Sequence, residues 1–572
     1  MNWDLTPLFA NYDEVDTTLK GCKKRAKKFA NKYKGSISTL KSDEFNKALG
    51  SYEDIIEELS RVLSYVFLQF ATDSSKGSVM AKYELECNKI EEDLLFFELE
   101  FGKLDSKTQK KFIKKAGVRS YYLQNLAESK KHMLSLQEER ILLKKEPVSS
   151  SAFSRLFDEH LSTLWFDFKG QKLSEEQVLS KLHDSKRDIR KSAAKSLTKG
   201  LEPHTKLLGY ILNQVKKDWA IECDIRNYSS AEEPRHKANR ITQKSVDALI
   251  DSVNSKMPLV HRYYEAKKRL LRIKELYEYD RYAPIRQKSR DYSFETSRDI
   301  VVDVFGNFKK EFGTIAQKAF DEKWIDAYPK EGKRGGAFSH STVPSVHPYI
   351  LLNHTDQRRD IFPLAHELGH ALHQYFSREV GALSADTPLT TAETASVFAE
   401  MMLFDSMSES MDRGELLGFY AGKLEDIFAT VFRQIVFTNF ERRVHASTDE
   451  LSVEEFSSIW YEENVKMFGE SVTLSEDYKI WWSYIPHFVH SPFYCYAYAF
   501  GELLVLALYR IYKDGMSDFE KRYKNFLKSG GSKSPKELIA FFGYDIEDVH
   551  FWDIGLREVE SMLEKFLELS NA

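Results

Sequence analysis

Residues 360–376 read Asp-Ile-Phe-Pro-Leu-Ala-His-Glu-Leu-Gly-His-Ala-Leu-His-Gln-Tyr-Phe. The pattern predicts one helix, with Asp360 as its N-cap and Pro363 in the first turn, where a missing N–H costs nothing. Its apolar residues recur every three or four positions and form a single stripe, which should be buried in a core. They are Ile361, Ala365, Leu368, Leu372 and Phe376.

The opposite stripe carries histidines where a solvated helix would carry Lys and Glu: His366, His370 and His373. The first two point the same way, so one ring nitrogen of each can bind a single Zn²⁺ ion at about 2.0–2.1 Å. Glu367 is rotated around the helix, so its carboxylate can approach a metal-bound water without binding the metal, as a general base should. An accidental pair of core histidines is the alternative, but a helix that is otherwise apolar favours the metal.

A catalytic zinc site needs a third protein ligand and keeps one position open for water. A second helix, predicted to begin near Thr390, carries Glu393 early in its sequence. The stretch from Thr390 to Glu393 also fits a capping box, in which this glutamate would accept from the N-cap amide. The residues alone therefore leave Glu393 open between metal ligand and helix cap. Glu400 shares its face seven residues later and is predicted to orient a ligand.

Composition narrows the class of protein. The chain has 572 residues, 42% hydrophobic and 30% charged, which is ordinary for a globular protein with a large core. The net charge, 83 − 87 = −4, comes without long blocks of like charge, so we expect no nucleic-acid partner. Neither a secretory signal nor an apolar run of the length of a membrane span is seen. Four scattered cysteines favour reduced thiols and a cytoplasmic location.

The helical pattern is strongest in the first third of the chain. We therefore predict an N-terminal helical region, 1–200, and a catalytic region, 201–572. Residues 324–354 break the pattern with glycines and prolines and end in Tyr-Ile-Leu-Leu at 349–352, which predicts a small β-hairpin sheet. An exposed strand edge there would allow an extended peptide to add as another strand, although a plain hairpin explains the pattern equally well.

An aromatic-rich stretch follows at residues 481–501 and carries His487. Such density is typical of core packing, but the polar tips of Tyr494, Tyr496 and Tyr498 need partners when they are buried. Amide hydrolysis at a metal also creates an oxyanion, which a Tyr O–H or a His N–H can stabilise. Helical periodicity places the first and third tyrosines on one face and the second on another, and does not decide which of them acts.

Several segments in this order resemble the thimet oligopeptidase-like zinc metallopeptidases, most closely the oligoendopeptidase F branch. The segments are 333–339, which reads Lys-Arg-Gly-Gly-Ala-Phe-Ser, then 362–374, 393–400, 485–499 and 530–535. The resemblance covers most of the chain from about residue 200 onward. It implies a mainly α fold, a two-lobed helical ellipsoid around a deep substrate channel, with the small hairpin sheet beside the active site.

The resemblance also implies a set of site residues. One Zn²⁺ per chain would be held by His366, His370 and Glu393, with Glu367 as the base. The tetrahedral intermediate would be stabilised by His487 together with Tyr494 or Tyr496, and Glu400 would support a ligand. The residues implied in substrate binding are Gly335, Gly336, Ala337, Phe338 and Tyr498.

We therefore predict a hydrolase, a zinc metalloendopeptidase that cleaves internal bonds of short unfolded peptides in the cytoplasm, with no nucleic-acid or membrane partner. One alternative is a carboxypeptidase or dipeptidyl carboxypeptidase of the same family, which needs a clamp for the substrate C-terminus. The other is a non-catalytic helical peptide-binding protein with a vestigial motif. Glu367 argues against the latter, because metal-assisted folding alone does not require that carboxylate.

Overall fold

The computed structural model describes residues 1–285 and 291–571. Helices account for 72% of it and strands for 3%, so the mainly α class is confirmed. No helix within the described ranges combines the length and the apolar character that crossing a bilayer requires.

The chain begins with a series of eight α-helices. They are α1 Tyr12–Tyr33, α2 Ser42–Thr72, α3 Gly77–Glu92, α4 Phe96–Lys103, α5 Ser106–Lys115, α6 Ser120–Ser129, α7 Leu136–Lys145 and α8 Ser150–Ser162. Next come β1 Phe166–Phe168, β2 Gln171–Leu173, α9 Glu175–Lys181, α10 Arg187–Leu201, α11 Thr205–Ile225, α12 Glu233–Ala238, α13 Gln243–Ser255 and α14 Pro258–Leu270.

The central part contains α15 Phe294–Phe308, α16 Lys310–Asp321, β3 Ile325–Asp326, β4 Phe338–His340, β5 Tyr349–Leu351, α17 Ile361–Ser377, α18 Leu389–Ala392 and α19 Thr394–Ser408. The last helices are α20 Arg413–Ile427, α21 Arg433–Ala446, α22 Val453–Phe468, α23 His487–His490, α24 Tyr496–Lys513, α25 Phe519–Lys528, α26 Pro535–Ile539 and α27 Val549–Asn571.

The chain forms two compact units, and each is built from three separate segments. The first unit comprises Met1–Lys131, Ser289–Glu409 and Gly515–Tyr544, and the second comprises His132–Lys288, Ser410–Asp514 and Asp545–Ala572. The boundary expected at residue 200 lies in α10, inside the second unit, so the compact units do not follow it. A functional division into a helical region and a catalytic region at that residue stays a prediction.

Helix α17 lies at the centre of the first unit and packs against α15, α16, α19 and α25. Its predicted apolar stripe is buried throughout, with no member more than 4% exposed. The predicted N-cap was wrong in detail. Asp360 has helical backbone angles and makes no cap bond to α17; its carboxylate accepts from the amides of Thr355 at 2.7 Å and Gln357 at 3.1 Å. It therefore closes the turn that precedes the helix.

The predicted hairpin is present as β4 and β5, which pair antiparallel with Phe338 opposite Leu351. A third strand, β3, pairs parallel to β5, so the sheet is mixed, in the order β3-β5-β4. Two residues are too few for a period-2 pattern, which is why the sequence did not reveal β3. Strand β4 forms one edge of the sheet and contacts α17: Ser339 Oγ donates to Gln374 Oε1 at 2.7 Å.

Candidate metal centre

Two helices of the first unit bring three potential ligand atoms together. The Nε2 atoms of His366 and His370, one turn apart on α17, lie 3.2 Å from each other. Glu393 Oε2 lies 3.3 Å from each of them. The three atoms therefore form a nearly equilateral triangle, and among the described residues this is the group of His, Cys, Asp and Glu side chains that could hold a metal ion.

A glycine allows the second helix to approach closely enough. A Cβ atom built on Gly369, in the middle of α17, would lie 2.5 Å from the carbonyl oxygen of Ala395 and 2.7 Å from the Cα of Ser396. These distances are too short for any side chain, so α17 and α19 are in backbone contact there. Glu393, which immediately precedes α19, is held next to the histidines by this contact.

The structure separates the two interpretations of Glu393. The helix expected from Thr390 is broken at Glu393, which ends α18 and precedes α19, and neither helix has a side-chain N-cap bond. The carboxylate instead faces the two histidines and accepts from Ser396 Oγ at 2.7 Å. The local sequence could not decide this, because the direction of the side chain depends on how α19 packs against α17.

A second carboxylate fixes the orientation of one imidazole. Glu400 Oε1 lies 2.6 Å from Nδ1 of His366. A carboxylate only accepts, so Nδ1 carries a proton, and Nε2 is the atom that faces the triangle. Burial alone would lower the pKa of His366, but its hydrogen bonds to Glu393 and Glu400 outweigh burial and raise the pKa to about 10. Burial likewise disfavours ionised Glu393, and the two histidines hold its pKa well below the usual range.

The geometry fits a tetrahedral metal ion. Ligand atoms at about 2.0–2.1 Å from a tetrahedral zinc lie about 3.3–3.4 Å apart, which is close to the 3.2 and 3.3 Å edges of the triangle. Two imidazoles and one carboxylate are a donor set that zinc accepts, and they leave a fourth position open.

The predicted base lines the same cavity. A cavity of about 470 Å³ is bounded by α17, β4 and the segment before α19, and its walls include His366, His370, Glu393 and Glu367. Burial raises the pKa of Glu367 above its ordinary value, while the neighbouring histidines and the Ser339 amide oppose the shift. Such a carboxyl accepts a proton more readily than an exposed glutamate. His373 is buried in the wall of the cavity, and burial lowers its pKa to about 3.

The glycine-rich loop before β4 reaches this cavity in part. Ala337 and Phe338 line it, whereas Gly335 and Gly336 do not. Asn353 Nδ2 holds the loop by donating to the carbonyl oxygens of Arg334 at 3.0 Å and Gly336 at 2.8 Å. Sequence reasoning missed Asn353, Ser339 and Gln374, because nothing in a local pattern marks a residue that acts across a sheet edge.

The predicted oxyanion residues belong to the second unit, where they separate into two environments. His487, Tyr494 and Tyr498 form a cluster: the rings of the two tyrosines are 5.0 Å apart, and His487 Nε2 lies 3.3 Å from the Tyr498 hydroxyl. Tyr498 is 39% exposed. Burial and the charge of Arg433 lower the pKa of His487, so its ring is neutral at pH 7.

Tyr496 is not part of this cluster. It is completely buried, and its hydroxyl contacts His236 Nδ1 at 2.9 Å and accepts from Asn239 Nδ2 at 3.0 Å. A phenol with two internal partners and no exposed surface has nothing left to offer a substrate, which argues against the predicted catalytic role. As helical periodicity predicted, Tyr496 faces away from Tyr494 and Tyr498.

Comparison with known proteins identifies the family. The sequence profile of Peptidase family M3 matches residues 180–558, and that of Oligopeptidase F matches residues 100–166. The chain belongs to peptidase family M3. An oligoendopeptidase F homolog of Borreliella burgdorferi is 31% identical to this M3 family member over 564 residues, which cover 95% of this chain and 94% of the relative.

Solved structures share the fold of this M3 family member. A Chlamydophila abortus crystal structure matches with a TM-score of 0.90 at 26% identity, covering 99% of this chain and 98% of that one. The oligoendopeptidase F of Enterococcus faecium matches in fold with a TM-score of 0.71 at 23% identity, covering 97% and 99%. The predicted resemblance is confirmed, and peptide hydrolysis is the activity that the family supports.

Proposed function

We propose that this chain is a zinc-dependent oligoendopeptidase that hydrolyses internal bonds of short, unfolded peptides. The observation that carries the proposal is the triangle of His366, His370 and Glu393 ligand atoms beside Glu367 in one cavity of an M3 family member. One Zn²⁺ ion per chain would be held by those three side chains, with Glu400 orienting His366.

The chain's own residues supply the proton transfers. When bound, the ion would acidify a water molecule and polarise the scissile carbonyl. Glu367 takes a proton from the attacking water, a transfer favoured by its raised pKa, and gives it to the departing amine. Buried walls around Glu367 keep bulk water from competing for that proton.

The oxyanion of the tetrahedral intermediate requires hydrogen-bond donors. We assign this function to His487 with Tyr498 or Tyr494, and no longer to Tyr496. The support is that His487, Tyr494 and Tyr498 form one accessible cluster. The Tyr496 hydroxyl, in contrast, is buried. A neutral His487 ring can donate one N–H, and a phenol one O–H, to a negative oxygen.

The substrate backbone would pair with the outer edge of β4. Phe338 and Ser339 belong to that strand and line the cavity with the metal triangle, so a peptide extended along the edge passes the candidate ligands. The proposal includes three further statements: residues 1–200 act as a lid of the channel, the channel is narrow and excludes folded proteins, and the protein is cytoplasmic. Digestion of a folded globular protein under native conditions would contradict the second.

The test is cleavage of an internally quenched peptide of about ten residues, blocked at both ends, with metal content measured in parallel. Wild type should bind one zinc and cut at internal bonds. Glu367→Gln should bind zinc equally and lose nearly all activity, while Glu379→Gln, an exposed glutamate paired with Lys528, should behave as wild type.

Other outcomes identify the alternatives. Cleavage only when the peptide has a free C-terminus would favour the carboxypeptidase. Zinc and peptide binding without any cleavage would favour a vestigial site. A wild-type protein that binds no zinc would refute the ligand assignment itself.

A further inference from the structure

The cavity at the metal triangle has a second cavity beside it. The second cavity, which we call the recess, has a volume of about 510 Å³ and is lined by residues that include Leu63, Phe67, Met80, Glu84, His340 and Asp386. Ser341 and Asp386 line both cavities, and they also line a third, smaller space of about 50 Å³. Ser341 Oγ donates to Asp386 Oδ1 at 3.2 Å.

The recess lies along the path of a peptide on the β4 edge. Ala337, Phe338 and Ser339 line the cavity with the metal triangle, whereas His340 and Thr342 line the recess. An extended chain advances about 3.3 Å per residue, so a peptide that passes the metal triangle along this edge would reach the recess within a few residues. A side chain at that substrate position would point toward it.

The walls of the recess combine an apolar side with two carboxylates. Leu63, Phe67 and Met80 are only partly buried against the core, so apolar surface remains on the α2 and α3 side. Glu84 and Asp386 lie on the same cavity, and in the part of the chain that the structure describes neither forms an ion pair.

Among the described residues that line the recess there is no Lys or Arg. His340 Nε2 contacts Ser64 Oγ at 2.9 Å, and burial lowers the pKa of this imidazole to about 4, so it is uncharged at pH 7. Arg378 lines the smaller space, but its guanidinium stacks 3.8 Å from the ring centre of Tyr375 and its Nε donates to the Tyr375 carbonyl. The recess therefore combines negatively charged carboxylates with an apolar wall.

We propose that the recess selects peptides that carry a lysine or arginine three to four residues from the scissile bond. The aliphatic stem of such a side chain would pack on Leu63, Phe67 and Met80, and its cationic tip would meet Glu84 and Asp386. The inference rests on the proposed function, and it defines the class of peptide that the same site prefers.

The test moves one lysine through every position of the blocked quenched peptide, each compared with the glutamine peptide. From two partly exposed ion pairs we expect the wild-type kcat/KM to be about five-fold higher for the lysine peptide than for the glutamine peptide when the lysine lies at one position, three or four residues from the cut. At all other positions the two peptides should have about equal kcat/KM. Glu84→Gln with Asp386→Asn should bring that ratio to about one. Glu84→Lys should make the glutamate peptide better than the lysine peptide.

Glu92→Gln is the matched control, since it removes the same charge from an exposed residue two turns further along α3. It should retain the wild-type ratio, and the ratio should fall at high salt only where Glu84 and Asp386 are present. A ratio that survives the double substitution, a maximum at another position, or a preference for leucine over lysine would overturn the proposal.

Binding separates this inference from the proposed function. Anisotropy of labelled lysine and glutamine peptides is measured on Glu367→Gln, with and without the double substitution. If the wild type cuts no peptide, the proposed endopeptidase function fails. The recess proposal would still be supported if the lysine peptide bound about five-fold more tightly than the glutamine peptide and the double substitution removed this difference. Equal binding of both peptides would refute it.

Discussion

Replacement of Gly369 by alanine tests how the candidate metal centre is built. The added Cβ would lie 2.5 Å from the Ala395 carbonyl oxygen, whereas ordinary contacts begin at 3.4 Å. The two helices must therefore separate by 3.4 − 2.5 Å, about 0.9 Å. Glu393 precedes α19 directly, so a shift of this size would carry its Oε2 from 3.3 Å to about 4.2 Å from the histidine nitrogens.

The substitution Gly369→Ala should affect protein stability less than zinc binding. Overpacking costs about 1–3 kcal/mol, but alanine gains about 1 kcal/mol over glycine within a helix, so the net destabilisation of the metal-free protein should be only about 0–2 kcal/mol. The effect on zinc is larger, because one of three ligands leaves a tetrahedron whose edges are about 3.3–3.4 Å. We expect the zinc affinity of Gly369→Ala to fall at least tenfold, as disturbed partners of metal ligands typically cost 10–100-fold.

Competition against a zinc chelator measures the affinity, and thermal unfolding of the metal-free protein measures stability. Gly21→Ala is the control, since Gly21 lies inside α1 with nothing within 4 Å of a built Cβ. It should raise stability slightly and leave zinc binding unchanged. Zinc affinity of Gly369→Ala within two-fold of wild type would show that the close helix contact does not position Glu393.

Two further predictions concern the second unit. Tyr498→Phe should lower kcat with little change in the unfolding temperature. Tyr496→Phe should mainly lower stability, by about 1–3 kcal/mol, because His236 and Asn239 lose a buried partner. Equal kcat losses in both variants would contradict this difference between the two tyrosines. Burial raises the pKa of Glu441 to about 8, above its unfolded value, so the protonated side chain stabilises the fold at low pH and that contribution is lost as pH rises from about 4 through 8. Unfolding temperatures measured across this range should fall for wild type and stay flatter for Glu441→Gln.

Periodicity predicted the parts of the site that belong to a single helix. The buried stripe of α17 and the common direction of His366 and His370 follow from 3.6 residues per turn. The distance between those histidines and Glu393 does not, because it depends on a backbone contact at Gly369 that no spacing encodes. The same limit explains why the sequence left Glu393 open between ligand and cap, since the direction of its side chain depends on the packing of α19 against α17.

Features made by distant segments could not be predicted. The recess combines side chains of α2 and α3 with residues near 340 and 386, and no local pattern links them. Asp360 shows a subtler limit: its sequence position suits a helix cap, yet its carboxylate serves the turn before the helix. The sequence likewise did not reveal how the two units are composed, since each unit recruits three segments that are far apart in sequence.

The three-segment construction of the first unit also sets the order of events during biosynthesis. All of its candidate ligands have been translated by residue 400, but α25, which packs on α17, comes more than a hundred residues later. Tyr523 donates to the carbonyl of Thr394 at 3.0 Å, and the Gly531 N–H donates to the carbonyl of Ser384 at 2.8 Å, so this late segment secures both sides of the site. At about 5–20 residues per second, a nascent chain carries the histidines for roughly ten seconds before they can be held in place. The candidate metal centre should therefore be completed only after α25 has been translated and has packed on α17.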